Sequence, residues 1–166
     1  MVWETEYVAF VEANWARYLR LARLLTGDRD RGEELLQDSL VRLYVRWRRA
    51  AARDPHAYLR RMLANGNISW WRRRRREYLS AEPPDRPAPD ADRPDVDESV
   101  RAALLALPAG QRAVVVLRHC EDLTEREVAR TLGCTVGTVK SQNARGLRRL
   151  RELLNGLHDK EKVNTP

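Results

Sequence analysis

Residues 124–149, TEREVARTLGCTVGTVKSQNARGLRR, predict two helices joined by a tight turn, and this stretch decides the fold of the second half of the chain. Thr124 and Glu127 have the spacing of a capping box, which begins the first helix. Gly133 supplies the positive φ that a tight turn requires. Val139 then provides the apolar contact that holds the second helix against the first. The pattern predicts a helix-turn-helix.

The second helix of this motif has one apolar and one polar face. Leucines gather beside Val139 on a helical wheel, and the opposite face carries hydroxyls, an amide and guanidinium groups. The polar face consists of Thr138, Ser141, Gln142, Arg145 and Arg148. These groups suit base edges and phosphates in a DNA major groove, and a merely solvated face is the alternative. Asn143 falls among the leucines, either as a buried amide that needs a partner or as a local departure in packing.

Apolar residues spaced by three and four predict helices along the rest of the chain, and therefore an all-α fold. A stripe that starts at Val8 predicts a first helix that ends at residues 26–28. A second helix opens at Asp30, with Glu33 completing a capping box, and carries its apolar stripe to Trp47. A third opens at residues 54–55 and continues into a run of arginines. Further helices are predicted over residues 97–107 and 112–120, and residues 156–166 show no periodicity.

The charge distribution divides the chain into domains. Residues 80–97, SAEPPDRPAPDADRPDVD, read as an acidic, proline-rich linker without a core. Net charge is +7 over residues 1–79, −5 over 80–100 and +5 over 101–155. The predicted organisation is two small helical domains, 1–79 and 98–155, joined by the linker 80–97 and followed by a tail, 156–166. Two basic blocks around an acidic spacer indicate a polyanion contacted at two places.

Several functional classes are excluded by the sequence. The longest apolar run, residues 102–107, is far shorter than a membrane span, and the absence of a signal sequence predicts a cytoplasmic protein without membrane insertion. Cys120 and Cys134 form neither a disulfide framework nor a zinc motif, so no metal and no cofactor are expected, and Cys120 reads as a buried thiol near a helix end. No nucleophile, P-loop or dinucleotide motif is present, so the chain is not expected to be an enzyme.

An aromatic and basic segment, WWRRRRR at residues 70–76, closes the third predicted helix. Consecutive arginines neutralise phosphates in a way that depends on salt and not on base sequence. The indoles offer stacking surfaces for unpaired bases, although one of the two is expected to belong to the core. Just upstream, Asn65, Gly66 and Asn67 predict either amides that pair with a base edge or a turn in the helix.

Taken together, these segments resemble the extracytoplasmic-function (group IV) sigma factors of bacterial RNA polymerase. Residues 33–38 (EELLQD) leading to 43–47 (LYVRW) are similar to the helix by which that family binds core polymerase. Residues 58–76 resemble its segment for reading the −10 element. Residues 107–112 (LPAGQR) and 124–149 resemble its −35-reading domain. The resemblance covers roughly residues 5–155 and implies that the chain is a promoter-specificity subunit for transcription initiation.

The resemblance also implies roles for individual residues. Core polymerase would be bound by Glu34, Gln37, Asp38 and Arg42. The −10 element would be contacted by Asn65, Asn67, Trp70, Arg72, Arg73, Arg74, Arg75 and Arg76, with Asn65 at a pocket for a flipped base that the loop at residues 53–56 lines. The −35 element would be contacted by Lys140, Ser141, Ala144 and Arg145, to which the polar face adds Thr138, Gln142 and Arg148. The linker would thread the RNA-exit channel, and a separate anti-sigma factor would control a chain that is monomeric when free.

Two departures and two alternatives accompany this interpretation. Ser141-Gln142-Asn143 stands where the family usually has Ser-Arg-Leu, and Ser69 replaces a common aspartate.

The bias of 28 arginines to three lysines indicates a GC-rich, actinobacterial type of genome. The alternative function is a stand-alone helix-turn-helix repressor that dimerises through its N-terminal half, and a third is an RNA-binding or scaffold protein.

Overall fold

The computed structural model describes residues 1–78 and 98–163, with side chains described for 1–77 and 98–156. Every regular element in this part of the chain is an α-helix, which confirms the predicted all-α class. The chain divides into two compact units, Met1–Asp90 and Ala91–Pro166. The predicted linker, residues 80–97, lies outside the described residues.

The helices of the first unit are α1 Val2–Thr26, α2 Arg29–Val45, α3 Trp47–Ala51 and α4 Pro55–Tyr78. They form a bundle in which α2 packs against both α1 and α4. Its core contains fully buried leucines from three helices, including Leu25, Leu36 and Leu59. Val8 is 50% exposed, so the apolar stripe predicted for the first helix begins too early. The reason is that a different side of α1 packs here. The hydroxyl of Tyr7 donates to the Leu40 carbonyl at 2.9 Å and its ring centre lies 5.3 Å from that of Trp47, whereas Val8, the next residue, is rotated by about 100° away from this contact.

The start of α2 differs from the prediction. Gly27 adopts a left-handed conformation, φ 69°, and ends α1 as expected. Asp28 already has extended backbone angles, and its carboxylate accepts a hydrogen bond from the Arg31 N–H at 2.8 Å. The N-cap is therefore Asp28, and the predicted capping box of Asp30 with Glu33 is wrong. Because Gly27 reverses the chain in a single residue, the next helix can begin two residues earlier than its apolar pattern indicates.

The start of α4 agrees with the sequence, and no turn interrupts the middle of the helix. The Asp54 carboxylate accepts a hydrogen bond from the Ala57 N–H at 3.0 Å, as a capping residue does. The helix runs without a break through residues 65–67, so the alternative of a turn there is wrong. Gly66 instead allows a close approach between helices, since a Cβ at this position would lie 3.0 Å from the Leu35 side chain. Trp47 is buried as predicted but belongs to the separate helix α3.

The helices of the second unit are α5 Glu98–Leu105, α6 Ala109–His119, α7 Glu125–Leu132 and α8 Val136–Val163. The unit is built around α6, whose central valines and Leu117 are buried against α8. The expectation of no regular structure from residue 156 is wrong as far as Val163, because no proline interrupts the propagating helix. Cys120 is exposed at the end of α6, which corrects its interpretation as a buried thiol.

The helix-turn-helix of α7 and α8 has the predicted local chemistry. The Glu127 N–H donates to the Thr124 hydroxyl at 3.2 Å, and the Thr124 N–H donates to the Glu127 carboxylate at 2.7 Å. Gly133 has a φ of 68°, and Val139 is completely buried. The capping box, the glycine turn and the apolar contact are thus confirmed. They hold α8 in a defined orientation relative to α7.

Arg112 is a buried cation that closes the C-terminal end of α5. Its side chain is 2% exposed, and its guanidinium donates to the carbonyl oxygens of Leu104 at 2.9 Å and Leu107 at 3.0 Å. The last carbonyls of a helix have no intrahelical donor and carry partial negative charge. Arg112 satisfies both needs, and it therefore fixes the α5–α6 corner that supports the helix-turn-helix.

No helix in the described ranges has the combination of length and apolar character that crossing a membrane requires. In the same ranges, no three histidine, cysteine, aspartate or glutamate side chains are grouped so that they could hold a metal ion.

Candidate nucleic-acid interface

The polar face of α8 is exposed to solvent over its first three turns. Val139 and Gly146 lie buried on the opposite side, and a Cβ at Gly146 would lie only 2.7 Å from the Val115 side chain. Helix α8 is therefore anchored along one side while its other side is free. The predicted −35 residues Thr138, Lys140, Ser141, Ala144, Arg145 and Arg148 are all exposed on this helix.

The hydrogen bonds at the start of α8 order this surface. The Thr138 N–H donates to the Thr135 hydroxyl at 3.1 Å, which caps the helix. The Ser141 hydroxyl donates to the Thr138 carbonyl at 3.1 Å. The Lys140 ammonium lies 3.8 Å from the Glu125 carboxylate at the start of α7. An exposed pair of this kind is weak, so Lys140 is free to exchange Glu125 for a phosphate.

Gln142 and Asn143, the residues that depart from the family pattern, lie at the edge of the exposed face. The Asn143 side-chain oxygen is 3.0 Å from His119 Nε2, so the amide has found the partner that its position among leucines requires. Gln142 is half-buried, and its side-chain oxygen has no hydrogen-bond partner within the described ranges. Gln142 is thus less exposed than the neighbouring Ser141, and its contact with the −35 element stays a prediction.

The arginine segment forms the C-terminal turns of α4. Arg72, Arg73, Arg75 and Arg76 are exposed on different sides of the helix, because consecutive residues are rotated by about 100°. Arg74 is half-buried, and its guanidinium lies 5.1 Å from the centre of the Trp70 ring. The segment thus presents cationic side chains around most of the helix, an arrangement that suits a phosphate backbone.

Asn67 does not belong to this surface, although the sequence placed it there. It has no exposed surface, its amide nitrogen donates to the Leu25 carbonyl at 2.8 Å, and its oxygen accepts from Arg31 at 3.0 Å. An amide with both ends occupied inside the bundle cannot reach a base edge. The prediction for Asn67 is corrected to a structural role, whereas Asn65, two positions earlier, is half-buried.

Trp70 and Trp71 are both half-buried, and the Trp70 ring is already covered by cations. The Arg31 guanidinium lies 3.2 Å from the centre of this ring, in addition to Arg74. Burial lowers the pKa of Arg31 to about 10, against the opposing effect of Asp28 and Glu34, so Arg31 remains charged at neutral pH. Sequence reasoning missed Arg31, because nothing local connects it to a tryptophan that lies on another helix.

The predicted polymerase-binding residues Glu34, Gln37, Asp38 and Arg42 all lie exposed on α2. Val41, Tyr44 and Val45 lie on the same helix and are also exposed, Val45 to 80%. We call this combination of exposed polar and apolar side chains on α2 the α2 surface. Exposed apolar side chains beside polar ones are typical of a protein–protein contact site.

The loop before α4 is held to α1 by aromatic contacts. His56 Nδ1 is 2.7 Å from the Tyr18 hydroxyl, and the Phe10 ring centre lies 5.0 Å from the His56 ring centre. Arg53 and Asp54 are exposed in front of this anchor. The loop predicted to line a base pocket therefore has a fixed end at His56.

Comparison with known proteins identifies the family. The family models for Sigma-70 region 2 and Sigma-70 region 4 match residues 10–77 and 97–150. The RNA polymerase sigma-E factor of Streptomyces avermitilis is 41% identical over 90% of this chain and 85% of its own length. The ECF RNA polymerase sigma factor SigM of Mycobacterium tuberculosis is 33% identical over 84% of this chain and 72% of its own.

A solved structure agrees with these relatives. The sigma factor RpoE of Bartonella quintana, in complex with the anti-sigma factor NepR, matches with a TM-score of 0.75 and 25% identity, over 90% of this chain and 97% of that one. The predicted resemblance is confirmed, and the findings favour it over a stand-alone repressor. The chain belongs to the extracytoplasmic-function RNA polymerase sigma factors, with Sigma-70 regions 2 and 4, and is a subunit that directs promoter-specific transcription initiation.

Proposed function

We propose that three surfaces of this sigma factor divide the work of initiation: α8 reads the −35 element, the end of α4 holds the −10 region, and the α2 surface binds core polymerase. The synthesis of RNA itself resides in the polymerase. The observation that carries the proposal is the polar face of α8, which is exposed opposite the buried Val139 and Gly146. This proposal assigns −10 recognition to residues 1–79 and −35 recognition to residues 98–155.

For the −35 element, Ser141 and Arg145 are the strongest candidates for base contacts. Both are exposed, and they are four positions apart, so they lie one above the other on the helix. Arginine and serine can each reach groups at base edges in the major groove. Lys140 and Arg148 flank them and suit the phosphate backbone on either side. The helix-turn-helix supports this assignment, because such motifs place their second helix in the major groove.

For the −10 region, the exposed arginines at the end of α4 provide affinity without base preference. Each phosphate that they neutralise releases condensed counterions, so their contribution falls as salt rises. Asn65 lies about two turns before the segment, on the same helix, and is the amide proposed to meet an unstacked base. Asn67 is excluded from this role by its burial.

For core polymerase, the α2 surface combines charge with exposed apolar area. Glu34, Asp38 and Arg42 are spaced by four, so they form one row along the helix. Val41 and Val45 are also four apart and offer apolar area next to this row. Charged residues give specificity and the valines give affinity in such a contact. We further propose that a separate anti-sigma factor regulates this chain, which the NepR-bound relative supports. We also propose that the free chain is a monomer.

The experiment is in vitro transcription with core enzyme on a promoter library randomised at the −35 element. Arg145→Ala should change which −35 sequences are used, by about 1–3 kcal/mol of discrimination at the contacted base pair. Arg149→Ala is the matched control, because Arg149 lies on the same helix, is exposed and is 3.3 Å from Glu152. It should leave the ranking of promoters unchanged.

Two further arms test the other surfaces. Arg73→Ala should weaken holoenzyme binding equally for all promoters and reduce its salt slope by about 1. Asp38→Lys should weaken association with core enzyme while the free protein remains folded. The same sequence-independent loss from Arg145→Ala and Arg73→Ala would contradict this division of labour, and unaltered core binding by Asp38→Lys would remove the role of the α2 surface.

A further inference from the structure

Three residues of α4 form a column that faces the beginning of α2. Asn67, Trp70 and Arg74 are spaced by three and four, so their side chains lie on one side of the helix. The N-terminal member of this column, Asn67, is buried in the bundle, and its C-terminal member, Arg74, belongs to the arginine segment. The column therefore links the core of the first unit to the surface proposed to hold DNA.

Arg31 reaches across from α2 and contacts this column at two points. Its Nη2 donates to the Asn67 oxygen at 3.0 Å, and its guanidinium lies 3.2 Å from the centre of the Trp70 ring. Asn67 is itself held by the carbonyl of Leu25 at the end of α1. One end of the Arg31 contact is thus fixed by a fully buried amide, which gives the guanidinium a defined position over the indole.

Trp70 also contacts Arg74. The Arg74 guanidinium lies 5.1 Å from the centre of the same ring, within the distance at which a cation is attracted by an indole. Arg31 and Arg74 carry like charges, so each limits where the other can lie around the ring. Arg74 is half-buried, whereas the four other arginines of residues 72–76 are exposed.

We propose that Arg31 is a positioning residue for promoter binding: it holds Trp70, and through Trp70 it holds Arg74 in the direction from which Arg74 meets the DNA backbone. A long side chain that is already ordered loses less rotamer entropy when it binds. Trp70 then acts as a support for two cations and not as a platform for a base. This inference rests on the proposed role of the arginine segment in holding the −10 region.

The test is a double-mutant cycle on holoenzyme binding to a promoter duplex, using Arg31→Met and Arg74→Ala. Methionine keeps an apolar side chain of similar length at position 31. It carries no charge to place over the Trp70 ring and has no donor for the Asn67 oxygen. Each single substitution should weaken binding by about three- to tenfold, and the double variant should be no weaker than Arg74→Ala within about twofold. Arg31→Met combined with Arg73→Ala should instead be additive, because Arg73 is exposed and, in the part of the chain that the structure describes, makes no hydrogen bond or ring contact with the column.

Three additional measurements separate positioning from a merely structural role. The affinity of Arg31→Met for core enzyme should stay within about twofold of the parent, since the α2 surface is not altered. Arg31→Lys, which keeps the charge without the planar stack, should remain impaired. Arg29→Met is the matched control in the same helical turn, where the side chain is exposed, and should bind promoter as the parent does.

The outcomes are distinct. Additive losses from Arg31→Met and Arg74→Ala would make Arg31 an independent DNA contact and overturn the inference. Complete recovery by Arg31→Lys, or an equal loss of core affinity in Arg31→Met, would overturn it as well. If Arg73→Ala and Arg74→Ala both bind normally, the proposed role of the arginine segment fails, whereas normal binding by Arg31→Met alone removes only the positioning role.

Discussion

Replacing Arg112 with methionine should selectively destabilise the second unit. Methionine has similar length and removes the charge. The Leu107 carbonyl then loses its donor, and the Leu104 carbonyl keeps only the bond from the Leu107 N–H at 3.1 Å. Hydrogen bonds from a charged donor contribute about 1.5–3 kcal/mol each, so two of them predict a loss of about 3–6 kcal/mol. A unit of this size has a total stability of about 4–10 kcal/mol, so the loss would be a large part of it.

The aromatic residues of this chain make the assay selective. All five tryptophans, at positions 3, 15, 47, 70 and 71, belong to the first unit. Urea unfolding followed by tryptophan fluorescence therefore reports on the first unit, whereas far-ultraviolet circular dichroism reports on both. In Arg112→Met the circular dichroism should show an early transition while the fluorescence midpoint is unchanged. Arg126→Met, an exposed control on α7, should shift neither signal.

Arg112→Lys tests the hydrogen-bond argument separately from the charge. A lysine keeps the cation near the end of α5 but cannot reproduce the planar donor geometry of the guanidinium, so we expect an intermediate loss. A free energy of unfolding of the second unit in Arg112→Met, measured by circular dichroism, within about 1 kcal/mol of the parent value would refute the reasoning. The loss of two hydrogen bonds from a charged donor, with the buried Leu107 carbonyl left unsatisfied, should cost more than that. An equal shift of the fluorescence midpoint would refute its assignment to the second unit.

Two further substitutions test local contacts. Asn67→Ala should destabilise the first unit by about 2–3 kcal/mol, because it removes the hydrogen bonds to Leu25 and Arg31. The urea midpoint of tryptophan fluorescence measures this loss. An unchanged midpoint together with lost promoter binding would instead restore the base-contact role of Asn67. Thr124→Ala should lower the stability of the second unit by about 1 kcal/mol through loss of the capping box, which urea unfolding followed by circular dichroism measures. Thr124→Ser keeps a hydroxyl and should retain most of that stability. Equal losses in both variants would contradict the capping argument.

The elements that could be predicted are those in which the signal is local. The capping box at Thr124, the turn at Gly133 and the buried Val139 follow from residues close together in the chain, and the structure contains all three. The exposed faces of α2 and α8 follow from helical periodicity for the same reason. The start of α2 was misplaced by two residues, because the choice of Asp28 over Asp30 depends on how tightly Gly27 turns the chain.

By itself the sequence determined the helical class, the division of charge along the chain and the polar face of α8, because each depends on composition or on a short repeat. Only the tertiary structure decided that Asn67 is a structural amide, that Gly66 admits Leu35, that Asn143 meets His119 and that Arg31 lies over Trp70. These facts depend on contacts between residues up to 42 positions apart. Such contacts are set by how helices pack, and helical periodicity carries no information about which residue will face which across two helices.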